Sequence, residues 1–153
     1  MLVTLQNGIT ISTNKALLDI AMIHDYLANQ SYWAANIPIT IVESSIAHSL
    51  CFGVFAADEK QIGFARVVTD YSTFAYLCDV FILPAHQGKG IGKQLIATIH
   101  QHPNLQGLRR WMLATKDAYG LYEQAGWKHL SKEQAGRILT VHQPDLYKVK
   151  GEK

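Results

Sequence analysis

Between Asp79 and Lys93 the chain reads Asp-Val-Phe-Ile-Leu-Pro-Ala-His-Gln-Gly-Lys-Gly-Ile-Gly-Lys, a strand-like run closed by Pro84 and a glycine-rich turn that opens a helix. No other segment constrains the fold as much. Glycines let a backbone approach a ligand closely, and the unpaired N–H groups of a helix's first turn favour an anion there. A phosphate group is the guest such a turn suits. Two better-known phosphate loops fail on spacing. Counting back from Gly92-Lys93 puts Gln87 where a Walker A loop needs its first Gly, and Gln94 stands where it needs its hydroxyl. The run Gly88, Gly90, Gly92 is not G-x-G-x-x-G, and no acidic residue closes a second strand about 20 residues on.

The surrounding periodicity predicts what this turn is built into. A first helix follows Thr13 and Asn14, with Leu17, Ile20, Ile23 and Leu27 on one stripe. After Pro38, Thr40 and Glu43 have capping-box spacing, and Val42, Ile46 and Leu50 face one way. Strand-like runs follow at Cys51–Ala57, Gln61–Val68 and Phe74–Leu83, as an antiparallel meander. Then come a helix from Gly90 to about Gln101, a strand at Trp111–Ala114, a short helix at Ala118–Ala125, strand patterning from Trp127, and a last strand at Ile138–Val141. The expectation is a single domain, residues 1–153, of α/β (α+β) class around one mixed sheet. With 14 Lys and Arg against 12 Asp and Glu, the net charge of +2 is too small for a nucleic-acid-binding field. The N-terminus carries no leader pattern and no run is long and apolar enough to span a membrane, so a cytoplasmic protein with reduced Cys51 and Cys78 is expected.

Gln87, Gly90 and Gly92 satisfy Gln/Arg-x-x-Gly-x-Gly/Ala, which resembles the acyl-CoA pyrophosphate loop of the GNAT superfamily of N-acyltransferases. Downstream, Ala118-Tyr-Gly-Leu-Tyr-Glu-Gln-Ala-Gly-Trp127 is similar to that family's Leu/Phe-Tyr-Glu-x-x-Gly-Phe signature. The blocks Gly63–Tyr71 and Thr115–Ala118 are similar to a bacterial subgroup known by provisional acetyltransferase names. The resemblance implies a GNAT-like, mostly antiparallel sheet flanked by helices, with acetyl-CoA as cosubstrate and no metal. It implies that the backbone edge of Phe81, Ile82 and Leu83 pairs with pantetheine. The amides of Gly88, Lys89, Gly90, Ile91 and Gly92, with Gln87 nearby, would then hold the pyrophosphate. Tyr122 matches the family tyrosine near the sulfur and is assigned as general acid. Thr115 stands where the family often has Asn.

Asp79, on the central strand, is the candidate base or water-orienting group, with a structural carboxylate paired to a cation as the equal alternative. Tyr32, Trp33, Asp70, Tyr71 and Phe74 are the expected acceptor-site residues, and Arg66 could bind a substrate charge. His100 and His102, at alternate helical positions, read as cations at a helix end instead of metal ligands. The function expected is acetyl transfer from acetyl-CoA to a small-molecule primary amine by direct ternary-complex attack. A silent acyl-CoA-binding module and a protein-amine acetyltransferase are the alternatives. The oligomeric state stays open, a homodimer included.

Overall fold

The computed structural model describes residues 1–149; the last four residues of the expected domain, 150–153, lie outside the described residues. One six-stranded sheet forms the middle layer, its strands ordered in space as in sequence. They are β1 (Leu2–Thr4), β2 (Thr10–Ser12), β3 (Leu50–Phe55), β4 (Gln61–Thr69), β5 (Phe74–Ile82) and β6 (Arg110–Leu113). Neighbours are antiparallel except β5 and β6, which run parallel. A parallel pair needs a crossover, supplied by α3 (Ile91–His100). Helices α1 (Ile20–Asn29) and α2 (Ile39–Ala47) precede the meander, and α4 (Tyr119–Gln124) and α5 (Lys132–Ala135) follow β6.

Side chains alternate across a strand, and the two faces bury separate clusters. Cys51, Phe64 and Phe81 pack with Ile23, Leu27, Val42 and Ile46 of α1 and α2. Phe52, Val54, Ala65 and Val67 pack with Leu95, Ile96 and Ile99 of α3 and Tyr122 of α4. The mixed, mostly antiparallel sheet between helices is the architecture expected. Among the described residues, no helix is long and apolar enough to cross a membrane.

Four local expectations need correction. The chain opens with the β1–β2 hairpin, not with a helix; Asn7 and Gly8, at φ +70° and +74°, make its turn. Leu17 belongs to a separate 3₁₀ turn, Lys15–Leu17, because Asn14 caps that turn and Asp19 caps α1 by accepting from the Met22 N–H. The Thr40–Glu43 capping box does not form, since Pro38 is already the N-cap and places Thr40 inside α2. Neither the stretch after Trp127 nor Ile138–Val141 forms a strand among the described residues. Strand propensity yields a strand only when a neighbouring edge is paired, and none is paired there.

Candidate active site

The ladder between β5 and β6 stops at Leu77–Leu113. From Cys78 to Ile82 that side of β5 has no strand partner among the described residues, while its other side stays paired with β4 as far as Gly63–Ile82. Phe64 lies opposite Phe81 and Arg66 opposite Cys78, so β5 carries one extra residue between them. The bulge contains Asp79 at φ +52°, a conformation that Asp tolerates better than most residues.

Beyond the strand, the Gln87 side-chain N–H donates to the Ile82 carbonyl at 2.8 Å and ties the loop back to β5. The Leu83 N–H donates to the Ile62 carbonyl at 2.8 Å, and the Phe81 ring stacks on Tyr26 at 3.8 Å. Gly88 and Gly90 hold φ of +75° and +78°, with Gly90 as N-cap of α3. A Cβ at either would meet nothing within 4 Å, so both are required for conformation and the space above them is open. The Gln94 N–H to Gly90 C=O bond is the first of the helix, so the amides of Ile91, Gly92 and Lys93 precede it. Gly92 turns its Cα toward Leu121 of α4, and Lys89 donates to the Ala85 carbonyl at 3.5 Å.

Asp79 is held from two sides. Its Oδ2 accepts from Arg66 Nε at 2.8 Å and its Oδ1 from Trp33 Nε1 at 2.9 Å. Arg66 also donates to Ser49 Oγ at 3.1 Å. Burial works against the Arg66 charge, yet Asp79 and Cys78 beside it hold its pKa above the ordinary value. Trp33 meets Tyr32 edge-on at 5.1 Å. The Tyr32 hydroxyl accepts from the Lys116 N–H at 2.9 Å. The α1–α2 loop is thereby fastened to the β5 bulge on one side and to the turn before α4 on the other. In that turn, Thr115 Oγ1 accepts from the Ala118 N–H at 3.1 Å. Tyr122 is 8% exposed, and burial, reinforced by Tyr32 and Asp117, pushes its phenol up to about 12. Tyr122 and Thr115 line a cavity of about 430 Å³ beside β6. A second cavity, about 540 Å³, lies between Tyr32, Trp33 and Asn36 and the C-terminal residues Pro144, Asp145 and Tyr147.

The structure thus brings Tyr32, Trp33 and Asp79 together, with Tyr122 and Thr115 across the same loop. It does not bring Asp70, Tyr71 and Phe74 to them. Phe74 begins β5 five residues before Asp79, roughly 17 Å along a strand. Asp70 is engaged in its own turn, accepting from the amides of Ser72, Thr73 and Phe74 and from the Thr73 hydroxyl. Those bonds hold its carboxyl well below the usual range. His100 and His102 are also corrected. Nε2 of His100 accepts from Trp127 Nε1 at 2.9 Å and Nδ1 of His102 from the Asn104 N–H at 3.2 Å. Burial lowers both pKa values, so they are neutral acceptors and not helix-end cations. Among the described residues no group of His, Cys, Asp and Glu is placed to hold a metal. Cys51 and Cys78 are free thiols. Sequence reasoning missed Ser49, Lys116 and the C-terminal wall of the second cavity, which are joined to the site only through the tertiary fold.

The description "Acetyltransferase (GNAT) domain" fits residues 48–129, which span the meander, the glycine turn and Tyr122. A Gibberella zeae protein provisionally named an acetyltransferase is 33% identical over 133 residues, 73% of this chain and 74% of its own length. A solved structure from Xanthomonas campestris pv. campestris, provisionally described as a GNAT acetyltransferase, is 47% identical with a TM-score of 0.87, covering 92% of this chain and 97% of that one. Glucosamine-6-phosphate N-acetyltransferase from Arabidopsis thaliana shares the fold alone, at 13% identity and a TM-score of 0.61, over 88% of this chain and 97% of that one. A match over more than half of the chain, centred on the turn and the tyrosine that the geometry singles out, makes this protein a member of the GNAT acetyltransferase family.

Proposed function

We propose that the chain moves acetyl from acetyl-CoA to the primary amine of a small molecule, by direct attack within a ternary complex. The observation that carries this is one continuous backbone path. The unpaired edge of β5 beyond Leu77 runs into a turn whose positive-φ glycines leave the leading amides of α3 free. An extended pantetheine suits the edge, and a pyrophosphate suits the amides from Gly88 to Gly92. Lys89 stands close enough to add charge, and Gln87 keeps the turn fixed to Ile82.

Each remaining residue then has a task. An amide on the open edge polarises the thioester carbonyl as negative charge develops on it. Tyr122 keeps its proton at any working pH, because burial holds its pKa at about 12. A thiolate with an ordinary value near 8.5 would not take that proton in water. In the same desolvated surroundings the thiolate is also driven toward protonation, which makes the transfer feasible. Thr115 caps the turn that aims α4 and therefore Tyr122. Of the two roles open to Asp79, the structural one is favoured, since both oxygens already accept from a guanidinium and an indole. Asp79 then fixes the bulge and Trp33, and the proton leaving the amine passes to solvent. Tyr32 and Trp33 wall the acceptor side, where aromatic surface excludes water around a small guest. A cytosolic setting suits two thiols kept reduced.

A CoA-release screen over small amines, amino acids and peptides tests the reading. Turnover with a small amine, lost in Tyr122→Phe, is expected. Acetyl-CoA binding without turnover on any amine would mark a silent binding module, and turnover confined to peptides would mark a protein acetyltransferase.

A further inference from the structure

The turn from Thr115 to Ala118, between β6 and α4, is pinned twice. The Lys116 N–H donates to the Tyr32 hydroxyl at 2.9 Å, and the Ala118 N–H donates to Thr115 Oγ1 at 3.1 Å. Its two middle side chains, Lys116 and Asp117, are exposed, and among the described residues neither joins an ion pair. Unpaired surface charges are ordinary; these two are set apart by what they face. Lys116 Nζ stands 5.2 Å from the centre of the Tyr32 ring, a cation over an aromatic face. Tyr32 and Trp33 in turn wall the 540 Å³ cavity. Asp117 faces elsewhere: after burial, its charge is what raises the phenols of Tyr122 and Tyr26. Tyr26 stacks on Phe81 of the open β5 edge. A carboxylate felt at both phenols lies toward the gap between α4 and that edge, where the thioester is proposed to lie.

One fixed turn therefore offers a cation toward the cavity and an anion toward the thioester. A bare amine uses only the second. A zwitterion uses both, its ammonium group at Asp117 and its carboxylate at Lys116, through charge-assisted hydrogen bonds. Its side chain then points to the cavity, whose walls include Tyr32, Trp33, Pro144 and Tyr147. The other charges lining that space, Asp145 and Lys148, pair at 2.7 Å and offset one another. What is left for a guest is aromatic and apolar surface, which suits a large apolar group.

We propose that the acceptor is an α-amino acid with a large apolar or aromatic side chain, its ammonium group drawn to Asp117, its carboxylate held by Lys116 and its side chain enclosed by Tyr32, Trp33 and Tyr147. This rests on acetyl transfer as proposed above and names the substrate class. The ammonium group loses one proton to solvent, and the neutral nitrogen attacks the thioester carbonyl. As the C–S bond breaks, Tyr122 protonates the thiolate, and the second proton shed by the nitrogen restores the phenol. An N-acetylamino acid and CoA leave.

CoA release from acetyl-CoA by the full chain, with L-phenylalanine, phenethylamine or glycine as acceptor, tests this. L-phenylalanine should exceed each of the others in kcat/KM by about 10–100-fold. That is the size of one charged hydrogen bond in the first comparison and of one buried aromatic side chain in the second. Most of the difference should lie in KM. Lys116→Met should collapse the first ratio and Lys116→Arg should keep it, whereas Tyr147→Ala should collapse the second ratio alone. Asp117→Asn should lower kcat/KM for L-phenylalanine and phenethylamine alike, since both carry an ammonium group. Calorimetric titration of L-phenylalanine into the CoA-bound protein reads the site whether or not acetyl moves. Equal kcat/KM for L-phenylalanine and phenethylamine, or a preference that survives Lys116→Met, would overturn the amino-acid site and leave acetyl transfer standing. Binding of L-phenylalanine that depends on Lys116, without CoA release, would keep the site and overturn the transfer. Neither binding nor turnover of L-phenylalanine would overturn the proposal, and turnover of other amines would then keep the transfer alone.

Discussion

Tyr122 and Asp79 sit in one neighbourhood under opposite constraints. The phenol is buried and kept neutral, whereas the carboxylate is paired with a guanidinium at 2.8 Å. Removing the Tyr122 hydroxyl leaves the packing volume almost intact, so Tyr122→Phe should keep the fold and the rise in Tm that acetyl-CoA produces. Turnover should fall about 10²–10⁴-fold, the range for a positioned acid. Equal turnover for variant and parent, with chemistry rate-limiting, would remove the acid role. Asp79→Asn acts differently. It keeps an acceptor for Trp33 and a residue tolerant of positive φ, but leaves Arg66 without its counter-charge. Breaking a buried pair costs roughly 3–5 kcal/mol; with side chains 18% and 11% exposed, about 2 kcal/mol is expected. Tm should drop and kcat/KM with it, while the acid limb of the kcat/KM profile keeps its shape. A flattened acid limb would return Asp79 to the role of base.

At the scale of elements, the turn between β5 and α3 depends on backbone conformation more than on crowding, since Gly88 and Gly90 face open space at positive φ. Gly90→Val should therefore destabilise the fold by about 1–3 kcal/mol, a β-branched residue being strained there. Gly90→Asn tolerates the left-handed region and should fold nearly as well as the parent, yet still set a side chain in the path to the amides. Both should lose the acetyl-CoA-induced rise in Tm; a full rise in the Asn variant would place the anion cradle elsewhere. This turn was legible because its information is local: strand, proline, glycines and helix follow one another within fifteen residues. The β1–β2 hairpin was equally local, with Asn7-Gly8 between alternating runs as its sign. Asp70 was misplaced for a related reason, since Asp-x-x-Thr after a strand is the pattern of a side chain capping its own turn. What no local pattern carries is the pairing of Trp33 with Asp79, 46 residues apart, or of Tyr32 with Lys116, 84 apart. Those contacts depend on how two layers settle across the sheet. Ile138–Val141 has strand chemistry without a strand partner among the described residues, so its pattern was readable while its structure was not.

Across the whole molecule, the two faces of the sheet bury groups that are stable only when neutral. Cys51 lies in the α1–α2 cluster and Tyr122 in the α3–α4 cluster. Burial pushes Cys51 up to about 11, Cys78 up to about 12 and Tyr122 up to about 12. For a group raised on folding, the stabilisation is complete below its unfolded value and is lost as pH climbs toward the folded one. The loss thus begins near 9, the ordinary value of the thiols, and is joined near 10 by the phenol. Each group contributes at most about 1.4 kcal/mol per pH unit. His100 and His102 act in the reverse sense, because burial lowers them. Their share is complete above the ordinary value of 6.5 and is lost as pH falls through the folded one, when protonated His100 can no longer accept from Trp127. Tm should accordingly form a plateau between about pH 6.5 and 9, its acid edge set first by the two histidines and its alkaline edge first by the two thiols and then by the phenol. Thermal unfolding across that range checks it, and Cys78→Ala should make the alkaline flank shallower by one group's share. A Tm level to about pH 11 would show that these thiols and this phenol are hydrated in the folded protein, and that the two layers do not seal the sheet as described.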